Sequence, residues 1–462
     1  MNIIKEDLTM NMYVVGRSVS ATDENKDLFK PENIRKDLTI MSGKAAGICY
    51  MPDDYLSEGV QNENKALVRA DLNASSGHHS TYEHGHINFI IECNKIMCMI
   101  LNSMGLYSTS EKSSRYTAMH PQTELEQDKY NKWKDIFIDL IQVYYKDIYD
   151  TKRIEKLAME NARYMISVFT PTVMEYTIPF DRAILTPGWL DTLAENITKA
   201  IDYNFPTIIA NTSFYKKIHD ECKELAELFR KNIGITKSDH ILDDHKKIGI
   251  ELFSILSAAY KLDQITDAFA NPEILFEYNN ENDPLLKSTY YGDSYTTNYQ
   301  ESLAGFAQSQ RHRTLRYSIN LPKKLDCYVP KIIKSSTFEI EWRKDYQQLI
   351  DQDIIPQATL VDVCEQGRFE DFILKCKERL CSRAQLEIME VTRDQLTHFA
   401  TYKANLGLVN RMMLQDMIEY RPGENPNSPN SIIVKPRCQY ACYKCKEPCG
   451  QNPYMINYFR NI

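Results

Sequence analysis

No uncharged apolar run in this chain approaches the ~20 residues that carry a helix across a bilayer. A membrane-spanning protein is therefore not expected. An excess of positive charge is lacking too: 55 Lys and Arg stand against 63 Asp and Glu, a formal net charge of −8. Without a basic field the chain does not gather nucleic acid polymers. Any polyanion site has to be a local basic pocket, which suits a small phosphorylated substrate. Residues Met1 to Asp7 contain no apolar h-region of the kind that marks a signal peptide, so the cytoplasm is the expected location. What is present is ordinary for a globular protein: 43% apolar and 26% charged residues, with a length of 462 that suffices for two or three domains.

The 12 cysteines are unevenly spread, eight scattered and four together. Cys93 and Cys98 lie inside apolar runs and read as small buried hydrophobes. Cys438, Cys442, Cys445 and Cys449 fall together in a basic stretch near the C-terminus. That four-ligand spacing suits tetrahedral zinc first, with an iron–sulfur cluster or four unrelated thiols as the other readings.

Along the chain, His86–Glu92 alternates and then runs apolar, as a half-buried strand does. Residues 93–104 predict a buried helix and residues 105–116 a polar loop. Trp133, Ile136, Phe137, Leu140, Ile141, Val143 and Tyr144 recur at helical spacing and predict a helix over 123–148. A further helix is expected over 154–166, after which Pro171, Pro179 and Pro187 predict short broken pieces. Helices are then expected over 190–202, 214–232 and 244–261. Lys237–His240 is a candidate linker, and Tyr278–Pro284 an Asn-rich loop. Beyond it, helices are predicted near 298–312, 338–352, 367–381 and 383–403. The order of helix, Arg-rich turn, polar loop and long helix occurs in both halves, which suggests an internal duplication.

Three motifs carry chemistry. Gln308-Ser-Gln-Arg311-His312-Arg313-Thr314 sets two guanidinium forks beside an imidazole, a grouping that grips phosphates or carboxylates or forms a solvated basic turn. His78-x-Ser80-x-x-Glu83-His84 could serve a metal, a nucleophile or a cofactor edge, or be a hydrogen-bonded polar turn. Ser108 to Tyr116 mixes small hydroxyls with one arginine, the composition of a phosphate nest. A fourth stretch runs from Arg379 to Ile388. If it is helical, Arg379, Arg383 and Glu387 form one row, which on its own reads as a surface salt-bridge ladder.

Together these stretches resemble the flavin-dependent thymidylate synthases. That family joins a His-x-Ser/Thr-x-x-Glu-His turn to an Arg-His-Arg motif, a Ser-x-Arg-Tyr phosphate loop, an Ala-Arg element and an Arg-x-x-x-x-Ala-Gln-x-Glu-Ile helix. The resemblance implies an α+β fold of two tandem units, each an antiparallel sheet with long helices, plus the small cysteine cluster. The implied boundaries are 1–240, 241–430 and a tail over 431–462. The first unit keeps His78, Ser80, Glu111, Ser113, Ser114, Arg115 and Arg163, but has Ser103-Met104-Gly105 in place of Arg-His-Arg and no recognisable Ala-Gln-x-Glu-Ile helix. The second keeps Gln308, Arg311, His312, Arg313, Arg379 and Ala384–Ile388, and has lost the phosphate loop. Each motif survives in one copy, as a shared composite site would require.

The resemblance further implies reductive methylation of dUMP to dTMP, with FAD and NADPH as cofactors and methylene-tetrahydrofolate as the one-carbon donor. Arg311 and Arg379 are the implied catalytic groups. Glu111, Ser113, Ser114, Arg115, Arg163 and Gln308 would bind dUMP; His78, Ser80, His312 and Arg313 would hold FAD. The expected assembly is a homodimer of fused pseudo-dimers, with zinc on the four cysteines. The alternatives are a flavin- or nucleotide-binding relative acting on a different uracil nucleotide, an inactive homologue, and a zinc-bearing helical interaction protein.

Overall fold

The computed structural model describes residues 10–18, 30–50, 57–76, 78–103, 107–113, 120–236, 268–270, 294–381, 384–401, 408–425 and 428–441. The expected linker at 237–240, the helix at 244–261 and the Asn-rich loop at 278–284 lie outside these residues. So do Ser114, Arg115, Tyr116, Arg383, Cys442, Cys445 and Cys449. The chain divides into two compact units. The first comprises Met1–Asp135, Lys156–Ala259 and Gln347–Pro356; the second comprises Ile136–Glu155, Tyr260–Tyr346 and Gln357–Ile462.

The first unit is built on an antiparallel sheet in the order β1-β2-β4-β3: Asn11–Arg17 (β1), His86–Asn94 (β2), Ser108–Glu111 (β3) and Pro171–Pro179 (β4). Its helices are Pro31–Tyr50 (α1), Glu63–Ser75 (α2), Lys95–Leu101 (α3), the start of Glu124–Tyr145 (α4), most of Thr151–Ala162 (α5), Phe180–Asp202 (α6) and Thr212–Ile233 (α7). Ile87, Phe89 and Ile91 of β2 face Ile178, Tyr176 and Met174 of β4 as cross-strand pairs, all fully buried. Over this face α7 lays Phe214, Ile218, Cys222, Leu225 and Phe229 at helical spacing, and the Phe229 ring meets Phe89 edge-on at 5.2 Å. The helices α1 and α2 cross at Gly43, where a Cβ would come within 1.8 Å of the Ala66 carbonyl oxygen, so only glycine fits.

The start of α4 is fixed by a Thr-x-x-Glu capping arrangement. The Glu126 amide donates to Thr123 Oγ1, and Glu126 reaches back to that hydroxyl and to the Gln122 amide. Its other oxygen accepts from the Ser167 amide at 2.9 Å. Thr123→Ala is expected to cost about 1 kcal/mol. Glu126→Ala should cost more, because it also leaves the buried Ser167 donor unmet. Denaturant midpoints of the full chain read both.

The second unit repeats the plan. Its sheet runs β5-β6-β8-β7: Ala268–Ala270 (β5), Ser294–Ser302 (β6), Arg316–Asn320 (β7) and Leu360–Arg368 (β8). The helices are Leu303–Ser309 (α8), most of Thr337–Ile350 (α9), Phe369–Arg379 (α10), Leu386–Thr401 (α11) and Leu408–Met417 (α12), followed by a small hairpin of Ile418–Tyr420 (β9) and Ile432–Val434 (β10). Phe369, Phe372 and Phe399 pack with Tyr295, the closest ring pair being Phe372 and Phe399 at 4.8 Å.

The correspondence between the units extends to single hydrogen bonds. β2 and β6 are each nine residues long and pair along their whole length with the nine-residue β4 and β8. Each first strand ends in the residue that caps a seven-residue helix, Asn94 for α3 and Ser302 for α8. The first two amides of α3 donate to the Thr170 and Val168 carbonyls; those of α8 donate to Thr359 and Gln357. Both second strands run directly into a helix that begins with phenylalanine, Phe180 or Phe369.

The α+β architecture with antiparallel sheets and long helices agrees with the sequence expectation. Several element boundaries do not. The expected helix at 298–312 is β6 followed by a short α8. The prolines do not break the chain as expected: Pro171 and Pro179 bound β4, and Pro187 lies inside the 23-residue α6. Strand ends tolerate proline because the missing donor is not needed there. The polar loop at 105–116 contains β3. Arg379 to Glu387 is no single helix, since α10 ends at Arg379 and α11 begins at Leu386. Of the apolar residues assigned to α4, Trp133 and Phe137 are fully buried, whereas Val143 and Tyr144 are 70% and 65% exposed. Among the described residues no helix is long and apolar enough to cross a membrane.

Candidate active site

The second unit gathers residues from two motifs that stand far apart in sequence. Arg379 closes α10, and its Nε donates to His312 Nε2 at 2.8 Å while Nη2 donates to the Gln308 carbonyl at 3.1 Å. Gln308 in turn donates from its side chain to Gln385 Oε1. Glu378 Oε2 stands 3.9 Å from both His312 Nδ1 and Arg379 Nη2.

These contacts fix the state of the histidine. Burial first, then the cations Arg379 and Lys375, hold His312 well below the usual imidazole range. The ring is neutral at pH 7. Because Nε2 accepts from Arg379, the proton sits on Nδ1, facing Glu378. His312 thus orients the Arg379 guanidinium, a task not foreseen from the sequence. Arg311 is half-buried and Arg313 exposed on the same turn.

Behind this turn lies a buried polar network. Lys375 and Glu365 form an ion pair at 2.6 Å with both side chains fully buried. Tyr295 and Tyr299 each donate a phenol hydroxyl to Glu365. Glu301 accepts from Ser309 Oγ at 2.9 Å, and its carboxyl is pushed up to about 8, chiefly by burial. Its unfolded value is near 4.5. Between these values the folded chain holds a proton that the unfolded chain has released, so this group costs stability progressively as pH rises from about 4.5 to about 8. Glu301→Gln mimics the protonated acid. Its Tm relative to wild type is expected to rise between pH 5 and pH 8; parallel Tm–pH curves would contradict this.

In the first unit, His78, Ser80, Glu83 and His84 are exposed around the 3-10 helix His79–His84, while His79 is buried and hydrogen-bonded to the Ala74 carbonyl. Glu111 ends β3 and forms an ion pair with the buried Lys95. Ser113 is half-buried and directly precedes residues 114–119, which lie outside the description. Arg163 is buried at the end of α5, its guanidinium 6.0 Å from the Tyr164 ring. Cys438 is a half-buried thiol; the three other cysteines of the expected zinc cluster lie outside the described residues, among which no metal-binding group occurs.

Glu387 of α11, a member of the Ala-Gln-x-Glu-Ile motif, takes both donors of Ser302, the cap of α8, a contact that the motif alone does not announce.

Residues 38–180 match the family model described as thymidylate synthase complementing protein. A UMP/dUMP methylase from Streptomyces cacaoi, solved with 5-Br dUMP, is 16% identical, with 40% of this chain and 77% of that chain covered and a TM-score of 0.24. Thymidylate Synthase X from Helicobacter pylori, solved with FAD and dUMP, is 18% identical, with 50% and 99% covered and a TM-score of 0.26. No curated protein sequence matches. Over residues 38–180 the chain is thus similar to the thymidylate synthase complementing proteins.

Proposed function

We propose that this chain is a flavin-dependent uridylate methylase that converts dUMP to dTMP, made of two fused and complementary copies of one ancestral unit. The observation that carries the reading is the tie between Arg379, His312 and Gln308, which unites the two motifs whose resemblance to the family is most specific. The matched topology of the two sheets, down to the paired helix-start hydrogen bonds, supports the duplication.

The donor set suits a flavin. His78 and Ser80 stand exposed on the 3-10 helix with hydroxyl and imidazole groups turned to solvent, and Arg313 offers an exposed guanidinium. These are the groups that would hold FAD, with His312 acting through Arg379 instead of touching the ring. A bound flavin would supply hydride and one-carbon transfer chemistry, with methylene-tetrahydrofolate as the carbon donor and NADPH as the reductant. The chain's own groups bind and orient. Arg379 and Arg311 face the pyrimidine and stabilise negative charge as it develops there. Neutral His312 keeps Arg379 in one orientation and adds no second positive charge beside it. Ser113, Ser114, Arg115, Glu111, Arg163 and Gln308 take the nucleotide, the working assembly being a homodimer in the cytoplasm.

The test is binding. Purified protein should carry a flavin absorbance band that Arg313→Ala abolishes, and titration with dUMP should perturb it. A chain that takes up neither FAD nor dUMP would refute the reading.

A further inference from the structure

The seven-residue α8 is too short to hold its own position, and both of its ends are tied to the start of α11. At the N-terminal end, Glu387 accepts from the Ser302 amide at 2.6 Å and from the Ser302 hydroxyl at 2.7 Å. That hydroxyl accepts in turn from the Gly305 amide at 2.9 Å. At the C-terminal end, Gln385 accepts from the Gln308 side chain. Glu387 is 2% exposed, and Gly305 leaves it room: a Cβ there would lie 2.9–3.0 Å from the carboxylate atoms. The Ala-Gln-x-Glu-Ile motif therefore spends its two polar side chains on α8.

In the first unit Asn94 caps α3 by accepting from the Met97 amide at 3.1 Å.

We propose that Glu387, assisted by Gln385, is a positioning residue that clamps α8 so that Gln308, Arg311 and His312 are presented to uridylate. The positioning role rests on the uridylate reading given above; the clamp itself does not. Counted from the matched helix starts, Arg311 falls level with Ser103. The first unit thus has no cationic turn at the level where the second unit presents Arg311.

The test joins hydrogen–deuterium exchange of the full chain to dUMP titration. Glu387→Ala should speed exchange of the 303–313 amides roughly ten-fold or more, leave 86–101 unchanged, and weaken dUMP binding. Glu387→Gln keeps an oxygen for the Ser302 amide and should restore most of both. Gly305→Ala, which crowds the carboxylate out, should reproduce Glu387→Ala and stands in for it if that variant does not fold. Unchanged exchange in Glu387→Ala or Gly305→Ala overturns the clamp, whatever the chain binds. Faster exchange with undiminished dUMP affinity overturns the positioning role. A wild-type chain that takes no dUMP defeats the uridylate reading and the positioning role with it, while the exchange arm still decides the clamp.

Discussion

Arg379→Ala is expected to lower kcat/KM for uridylate methylation by about 100-fold or more while leaving the far-UV circular dichroism unchanged. Two features of Arg379 lead to this. Its side chain is 14% exposed at the end of α10, so it contributes little to the hydrophobic core. Its Nε and Nη2 are committed to His312 and the Gln308 carbonyl, which hold the guanidinium plane in one orientation before substrate arrives. A preorganised cation costs no rearrangement when charge develops on the substrate, and its removal takes away an interaction made mainly in the transition state. Arg379→Lys should fare little better. An ammonium group is a point charge and cannot serve the imidazole, the carbonyl and a substrate oxygen from one plane. The His312 pKa should rise in Arg379→Ala, because one of the two cations depressing it is gone. Turnover unchanged in either variant would remove Arg379 from the catalytic group; Arg311→Ala is expected to abolish turnover in the same way.

Lys375→Met should destabilise the second unit by about 3–5 kcal/mol. Lys375 lies one turn before Arg379 on α10, with Nζ 2.6 Å from Glu365 and 2.9 Å from Gln395. Removing the cation leaves the Glu365 carboxylate fully buried, with only the two tyrosine hydroxyls to stabilise it. An uncompensated buried charge is among the costliest defects a core can carry. Adding Glu365→Leu removes that charge and should recover part of the loss. It should not recover all of it, because the Tyr295 and Tyr299 hydroxyls then lack their acceptor. The denaturant midpoints of the single and double variants decide this: equal destabilisation in both would mean that the buried charge is not the source.

What could be read from the sequence follows from what faces inward. The first unit was legible where its core is apolar. The alternation in β2 and the spacing of Trp133, Phe137 and Ile141 in α4 report burial directly. The sequence of β6 suggests a helix because its inward face is Tyr295, Thr297, Glu301 and the half-buried Tyr299, a polar set organised around Lys375 and Glu365. No hydrophobic pattern announces such a strand; only its tyrosines and threonines hint at it. The break between α10 and α11 was hidden because Arg, Ala, Gln and Leu are all good helix formers. Among the site residues, Arg379, His312, Gln308 and Gln385 were recognisable as motif members, but their mutual hydrogen bonds were not.

The most direct test of the central claim is reconstitution of the full-length protein with FAD, NADPH, methylene-tetrahydrofolate and dUMP, with the nucleotide product followed by mass spectrometry. The account predicts dTMP that forms only when flavin is present and that disappears in Arg379→Ala. Flavin-loaded protein that returns dUMP unmethylated, or product that forms equally well without flavin, would contradict it.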